Sequence, residues 1–221
     1  MAENYYRGNS KMHETIKEFN QSYAKNHALQ WCFIYPFPST FLHRAFQTHH
    51  TEHLQIGRFL VNDVSRLIQL ASHRSNSELY KGIKMTSELL DKFEHHVGQL
   101  ICPKGYIQCC QSRKAALETA SSLDHRPDLM PVLFKITYDS SVFVAELHYK
   151  DAPSSMVFDV YTVFRVKYVS RGPVTVVKLE VADECGAKLA REYRLKHKKE
   201  NVQTLLDHLA SSVKSPPKPT Q

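Results

Sequence analysis

The spacing of hydrophobic residues changes character near residue 76. Before it the period is helical. Ile16, Phe19 and Tyr23 recur at three-to-four spacing behind Ser10, which reads as an N-cap, and Trp31 closes that segment. The prolines of "YPFPST" interrupt, and Ser39 reads as the cap of a second short helix carrying Phe41, Leu42, Ala45 and Phe46. A third helix is predicted over 53–70, with Ile56, Phe59, Leu60, Val64, Leu67 and Ile68 along one side. The polar stretch "ASHRSNSE" then breaks the pattern.

After it, strand signals dominate. "LYKGI" is strand-like, and "MTSELLDKFEHHVG" predicts a helix capped at Thr86 or Ser87 with Gly98 just past its end. Strands are predicted over 99–109, in "VLFKITYD", where Val132, Phe134, Ile136 and Tyr138 alternate, and in "SVFVAELHY", "MVFDVYTVFRVKYV" and "VTVVKLEVADE". A short helix carries Ala115, Ala116 and Leu117, and a last one carries Val202, Leu205, Leu206 and Leu209 before the proline-rich "VKSPPKPTQ". Helices first and strands afterwards predict an α+β fold rather than alternating βαβ units. The expected organisation is a flexible N-terminus (1–9), one domain over 10–212, and a disordered tail (213–221). Within the domain a helical lobe spans 10–75, a β-rich body 76–190 and a C-terminal helix 200–212.

Composition narrows the partners only slightly. The formal charge of +7 suits an acidic partner, but it does not choose among nucleic acid, a membrane surface and a phosphate-bearing ligand. No nucleic-acid-binding motif accompanies the basic residues, so nucleic acid is not the expected partner. No apolar run approaches the ~18 residues of a membrane span, and no membrane partner is expected. The five cysteines are odd in number and lack framework spacing, which with the absence of a signal-like N-terminus predicts free thiols and a cytoplasmic setting.

Three local features invite chemistry. His49 and His53 stand at an i, i+4 spacing, but no third ligand is evident, and a solvated polar turn is the simpler reading; no metal is expected. Cys109 and Cys110 lack the two-residue spacer of redox dithiols, and on a strand they point to opposite faces. "REYRLKHKK", over 191–199, is the densest basic run and reads as a solvated segment or a docking patch.

Order and spacing of several pieces carry more. "LYKGIKMTSELLDKF", a glycine, "LICPKGYIQCCQSRKAAL", "VLFKI", and "MVFDVYTVFRVKYV" leading into "VVKLEV" together resemble the arginine-specific mono-ADP-ribosyltransferases over roughly residues 20–190. The resemblance implies a helical lobe beside two packed sheets, with an NAD cleft between them. It implies cleavage of the nicotinamide–ribose bond through an oxocarbenium-like cation that a protein arginine captures. An Arg grips the dinucleotide, a Ser positions the ribose, and a Glu-x-Glu pair stabilises the cation and engages the acceptor.

This sequence departs at each of those positions. The Arg becomes Lys81, followed by Gly82; lysine keeps the charge and loses the bidentate fork. The Ser-Thr-Ser strand becomes Gln108, Cys109 and Cys110, and the Glu-x-Glu positions fall on Pro153 and Ser155. Losing one well-placed electrostatic stabiliser costs about 10²–10³ in rate. Asp159 shares a face with Ser155 but lies about 13 Å along the strand, whereas Asp151 and Glu146 flank the loop and Asp151 is the candidate substitute acid.

The expected function is therefore an ADP-ribosyltransferase-like module with lost or impaired activity, binding NAD or a related nucleotide through Lys81, Gly82, Gln108, Cys109 and Cys110, or binding a protein. The alternative is an active transferase using Asp151. A third possibility is a basic interaction protein acting through residues 191–199.

Overall fold

The computed structural model describes residues 9–71, 77–122, 126–150 and 153–182, with the isolated positions 184, 188 and 192. The chain divides into two compact units, Met1–Asp183 and Glu184–Gln221. The expected C-terminal helix and tail, most of the basic run, residues 1–8, and Asp151 lie outside the described residues.

The N-terminal part is helical, as its periodicity predicts. Helix α1 spans Ser10–Ser22, and its cap is Asn9 rather than Ser10: the Asn9 side chain accepts a hydrogen bond from the Met12 amide at 3.0 Å. A 3₁₀ turn at Lys25–His27 leads into α2 (Ala28–Phe33). Helix α3 spans Pro36–Thr48. Its prolines start the helix instead of interrupting it, because the first turn needs no amide donors there and proline's fixed φ is already helical. Ser39 thus lies inside the helix. Helix α4 (Thr51–Leu70) buries Gly57, Leu60, Val64 and Ile68, while Ile56 and Phe59 of the expected stripe are exposed.

The β body has eight strands among the described residues. They are β1 (Ser77–Thr86), β2 (Leu100–Ile101), β3 (Ile107–Cys109), β4 (Leu129–Tyr138), β5 (Val144–Leu147), β6 (Ser155–Phe158), β7 (Phe164–Ser170) and β8 (Thr175–Val181). Helix α5 (Ser87–His95) follows β1 and α6 (Arg113–Ser122) follows β3. Five strands form one sheet in the order β1-β4-β8-β7-β2, and three form another in the order β3-β6-β5. Only β4 and β8 pair in parallel among the described strands.

Two stretches that alternation alone reads as single strands are each divided between the sheets. Residues 99–109 supply β2 to the large sheet and β3 to the small one, with Gly105 at φ 117° between them. Residues 155–170 supply β6 and β7, separated by a turn in which Tyr161 adopts φ 65°. Period two survives such a break, so only turn geometry reveals it.

Two cores follow from the alternation of side chains on the small sheet. Cys109, Val144, Met156 and Phe158 face the large sheet and pack with Leu79, Val132, Ile136, Phe164, Val166, Val177 and Leu179. Ala145, Leu147 and Val157 face the other way and pack with Ala28, Cys32, Leu42, Phe46, Leu60, Val64 and Ile68 of the helices. The fold is α+β: a helical layer against the small sheet, and the small sheet against the large one. Among the described residues no helix is long and apolar enough to cross a membrane.

Candidate active site

Strand β3 lies against β6, and its end meets β1. Gln108 pairs with Val157 and Cys109 with Met156, while Cys110 and Tyr80 exchange backbone hydrogen bonds of 2.8 Å in each direction. This junction of the two sheets brings Lys81, Gln108 and Ser155 together from segments far apart in sequence.

The Lys81 ammonium donates to the Gln108 carbonyl at 3.0 Å. The Gln108 side-chain amide donates to the Ser155 hydroxyl at 2.9 Å and also to the Tyr149 hydroxyl. Tyr149 and Ser155 close the triangle at 3.2 Å. Ser155 is only 7 % exposed, and Tyr149 packs on the core shared with the helices. The three side chains therefore satisfy one another on the helical face of the small sheet, and none of them carries a negative charge. Tyr149 carried no motif signal. Its parity with Leu147 and its nearness to Ser155 become visible only once β5 and β6 pair, with Leu147 opposite Ser155 and Tyr149 two residues beyond the end of β5.

The other named positions have different surroundings. Gly82 is filled by the protein itself: a Cβ there would lie 1.8 Å from the Ala116 carbonyl oxygen of α6. Its bareness allows α6 to sit on β1. Cys109 is in the inter-sheet core, where burial pushes its thiol from 9.0 up to about 12 despite Lys81 nearby. Cys110 is partly buried and directed at the Ser112 and Tyr80 carbonyls, and burial raises its thiol too. Adjacent cysteines on opposite faces, both disfavoured as thiolates, are poorly suited to redox chemistry. Pro153 is exposed at the start of the segment leading to β6.

Two acids stand near the site, and both are engaged away from the triangle. Glu146 pairs with Met156 and so has the opposite parity from Ser155; its carboxylate accepts from Ser154 Oγ at 2.5 Å. Asp159 follows β6 and accepts from Ser65 Oγ at 2.7 Å and from the Val160 amide at 2.8 Å. His49 and His53 do not share a helix. His49 ends α3 with φ 50°, while His50 caps α4 and stacks on His53 at 3.9 Å.

No family model matches the chain, and no curated protein matches it by sequence. Solved structures do match. An ADP-ribosyltransferase from Clostridium botulinum, in a triclinic crystal form, superposes with a TM-score of 0.54 at 8 % identity, covering 81 % of this chain and 94 % of that one. The enzymatic component of the C2 toxin from Clostridium botulinum gives 0.55 at 8 % identity, covering 78 % of this chain and 46 % of the toxin component. The Vis toxin from Vibrio splendidus, an ADP-ribosyltransferase, gives 0.48 at 14 % identity over 80 % of this chain and 76 % of that one. The helical layer, the two sheets and the two clostridial superpositions agree: the chain has the ADP-ribosyltransferase fold.

Proposed function

We propose that this chain is an ADP-ribosyltransferase-fold domain that has lost transferase activity and acts by binding. The observation that carries the reading is the closed Gln108–Tyr149–Ser155 triangle, neutral and internally satisfied, at the position where the resemblance places a Ser and the second Glu. An oxocarbenium-like cation needs a nearby negative charge, and preorganised electrostatics is usually the largest single contribution to such catalysis. Glu146 and Asp159 are engaged elsewhere.

The residues fit NAD as a held ligand and do not fit it as a reacting one. Lys81 has one of its three donors on the Gln108 carbonyl, which leaves two for a phosphate oxygen. Gly82 offers no cradle, because α6 occupies that side. The occupant is NAD or a related nucleotide held at Lys81, or a protein on the same face.

Calorimetric titration with NAD, with nicotinamide release followed in the same samples, tests this reading. Binding that weakens in Lys81→Ala, without release above the blank, is the expected result. Release that disappears in Asp151→Ala would overturn it in favour of a transferase with a relocated acid. Absence of both binding and release leaves the protein-binding form of the proposal, to be tested by pull-down with Lys81→Glu as the negative control.

A further inference from the structure

At one edge of the inter-sheet core the large sheet, helix α5 and the β2–β3 connection enclose a partly open groove. A cavity of about 610 Å³ opens there, within the ~300–1,000 Å³ range typical of small-molecule sites. Its walls include Ile83, Met85, Phe93, Phe134, Ile136 and Leu179. The backbone behind these walls is already committed. Ile83, Phe134, Ile136 and Leu179 lie in paired registers of β1, β4 and β8, so the interior presents apolar side chains and little else. Protein interiors normally pack to the density of organic crystals, and an apolar space of this size is suited to an apolar occupant.

The mouth is different in kind. Lys92 and His96 come from α5 and the residue that ends it, and Lys104 from the connection between β2 and β3. No carboxylate is among the lining residues. Along α5, Glu88 stands four residues before Lys92 but forms no ion pair with it among the described residues, and Asp91 and Glu94 are bound to Arg171 at 2.5 Å each. Among the described residues neither Lys92 nor Lys104 has an ion-pair partner.

We propose that this cavity binds an anionic amphiphile of the long-chain carboxylate class, its chain against the inter-sheet walls and its carboxylate between Lys92 and Lys104. The chain matches walls that have no free hydrogen-bonding groups, and the headgroup matches a rim of one sign of charge. The site is separate from the Gln108–Tyr149–Ser155 triangle. Ile107 lines the cavity while its neighbour Gln108 points to the opposite face of β3, so the inference does not depend on the reading of the triangle, although Lys81, paired with Phe134 and two residues from Ile83, shares the cavity's face of β1.

Titration of the full chain with laurate and with 1-dodecanol, the same chain without the charge, tests the proposal. A single laurate per chain is expected, bound roughly tenfold more tightly than the alcohol. The double variant Lys92→Ala/Lys104→Ala is expected to remove that advantage and leave dodecanol binding unchanged. Ile83→Trp, checked for an unchanged circular dichroism spectrum, is expected to weaken both ligands. Failure of laurate to bind the full chain overturns the proposal. So does equal affinity for acid and alcohol, or laurate binding that survives the lysine pair unchanged; these outcomes do not depend on whether Ile83→Trp folds.

Discussion

Gly82 and Ser155 show how much one side chain decides in this protein. The resemblance assigns Gly82 to cofactor binding, and its geometry also gives it a packing role: the Ala116 carbonyl occupies the space a Cβ would need. Gly82→Ala is expected to push α6 off β1 and cost about 3 kcal/mol, the upper end of usual overpacking penalties. Urea denaturation measures this, with Gly172→Ala as a control, since the nearest atom to a Cβ there is 3.6 Å away. Ser155 is the opposite case. It is small and neutral where the resemblance places a carboxylate, and Gln108 with Tyr149 has closed over it.

At the scale of elements, the link between β1 and α5 joins the site to the cavity. Strand β1 carries Lys81 and Gly82, then Ile83 and Met85 of the cavity wall, and ends at Thr86, whose hydroxyl accepts from the Leu89 amide at 3.4 Å and so caps α5. Sequence left Thr86 and Ser87 equally eligible for that role. Thr86→Ala is expected to cost about 1 kcal/mol, as the loss of an N-cap usually does. Ser87→Ala should change little, and comparing the two urea midpoints assigns the cap. Arg171 ties the same helix to the end of β7 through Asp91 and Glu94, but these groups are well exposed and their contribution is modest.

Across the whole molecule, buried thiols and phenols give stability a defined pH dependence. Burial raises Cys32 and Cys109 from 9.0 to about 12 each, and it also raises the hydroxyls of Tyr23 and Tyr106. Such groups hold their protons more tightly in the folded state than in the unfolded one. Their contribution is therefore complete below the unfolded value near 9 and is lost as pH rises towards 12. Urea midpoints measured under reducing conditions are expected to fall steadily above pH ~9. The slope is expected to flatten in Cys32→Ala/Cys109→Ala, whatever that variant's stability at neutral pH.

Local pattern was enough to determine the broad layout of the described residues. Helical spacing up to Leu70 and alternation from Leu79 mark the two regimes, because burying one face of a helix or a strand requires those periods. The order of short segments was also enough to point to the ADP-ribosyltransferase fold, and it singled out Lys81, Gln108 and Ser155, which hydrogen bonds join in the structure. Tertiary structure alone decided the rest. It divided 99–109 and 155–170 between two sheets, since alternation is the same on either side of a turn. It brought Tyr149, two residues past the end of β5, to Ser155, because contacts between distant segments depend on how the strands pair. It set α6 against Gly82, and it left an open groove beside the inter-sheet core, because close approach and unfilled volume belong to packed surfaces and have no signature in the order of residues.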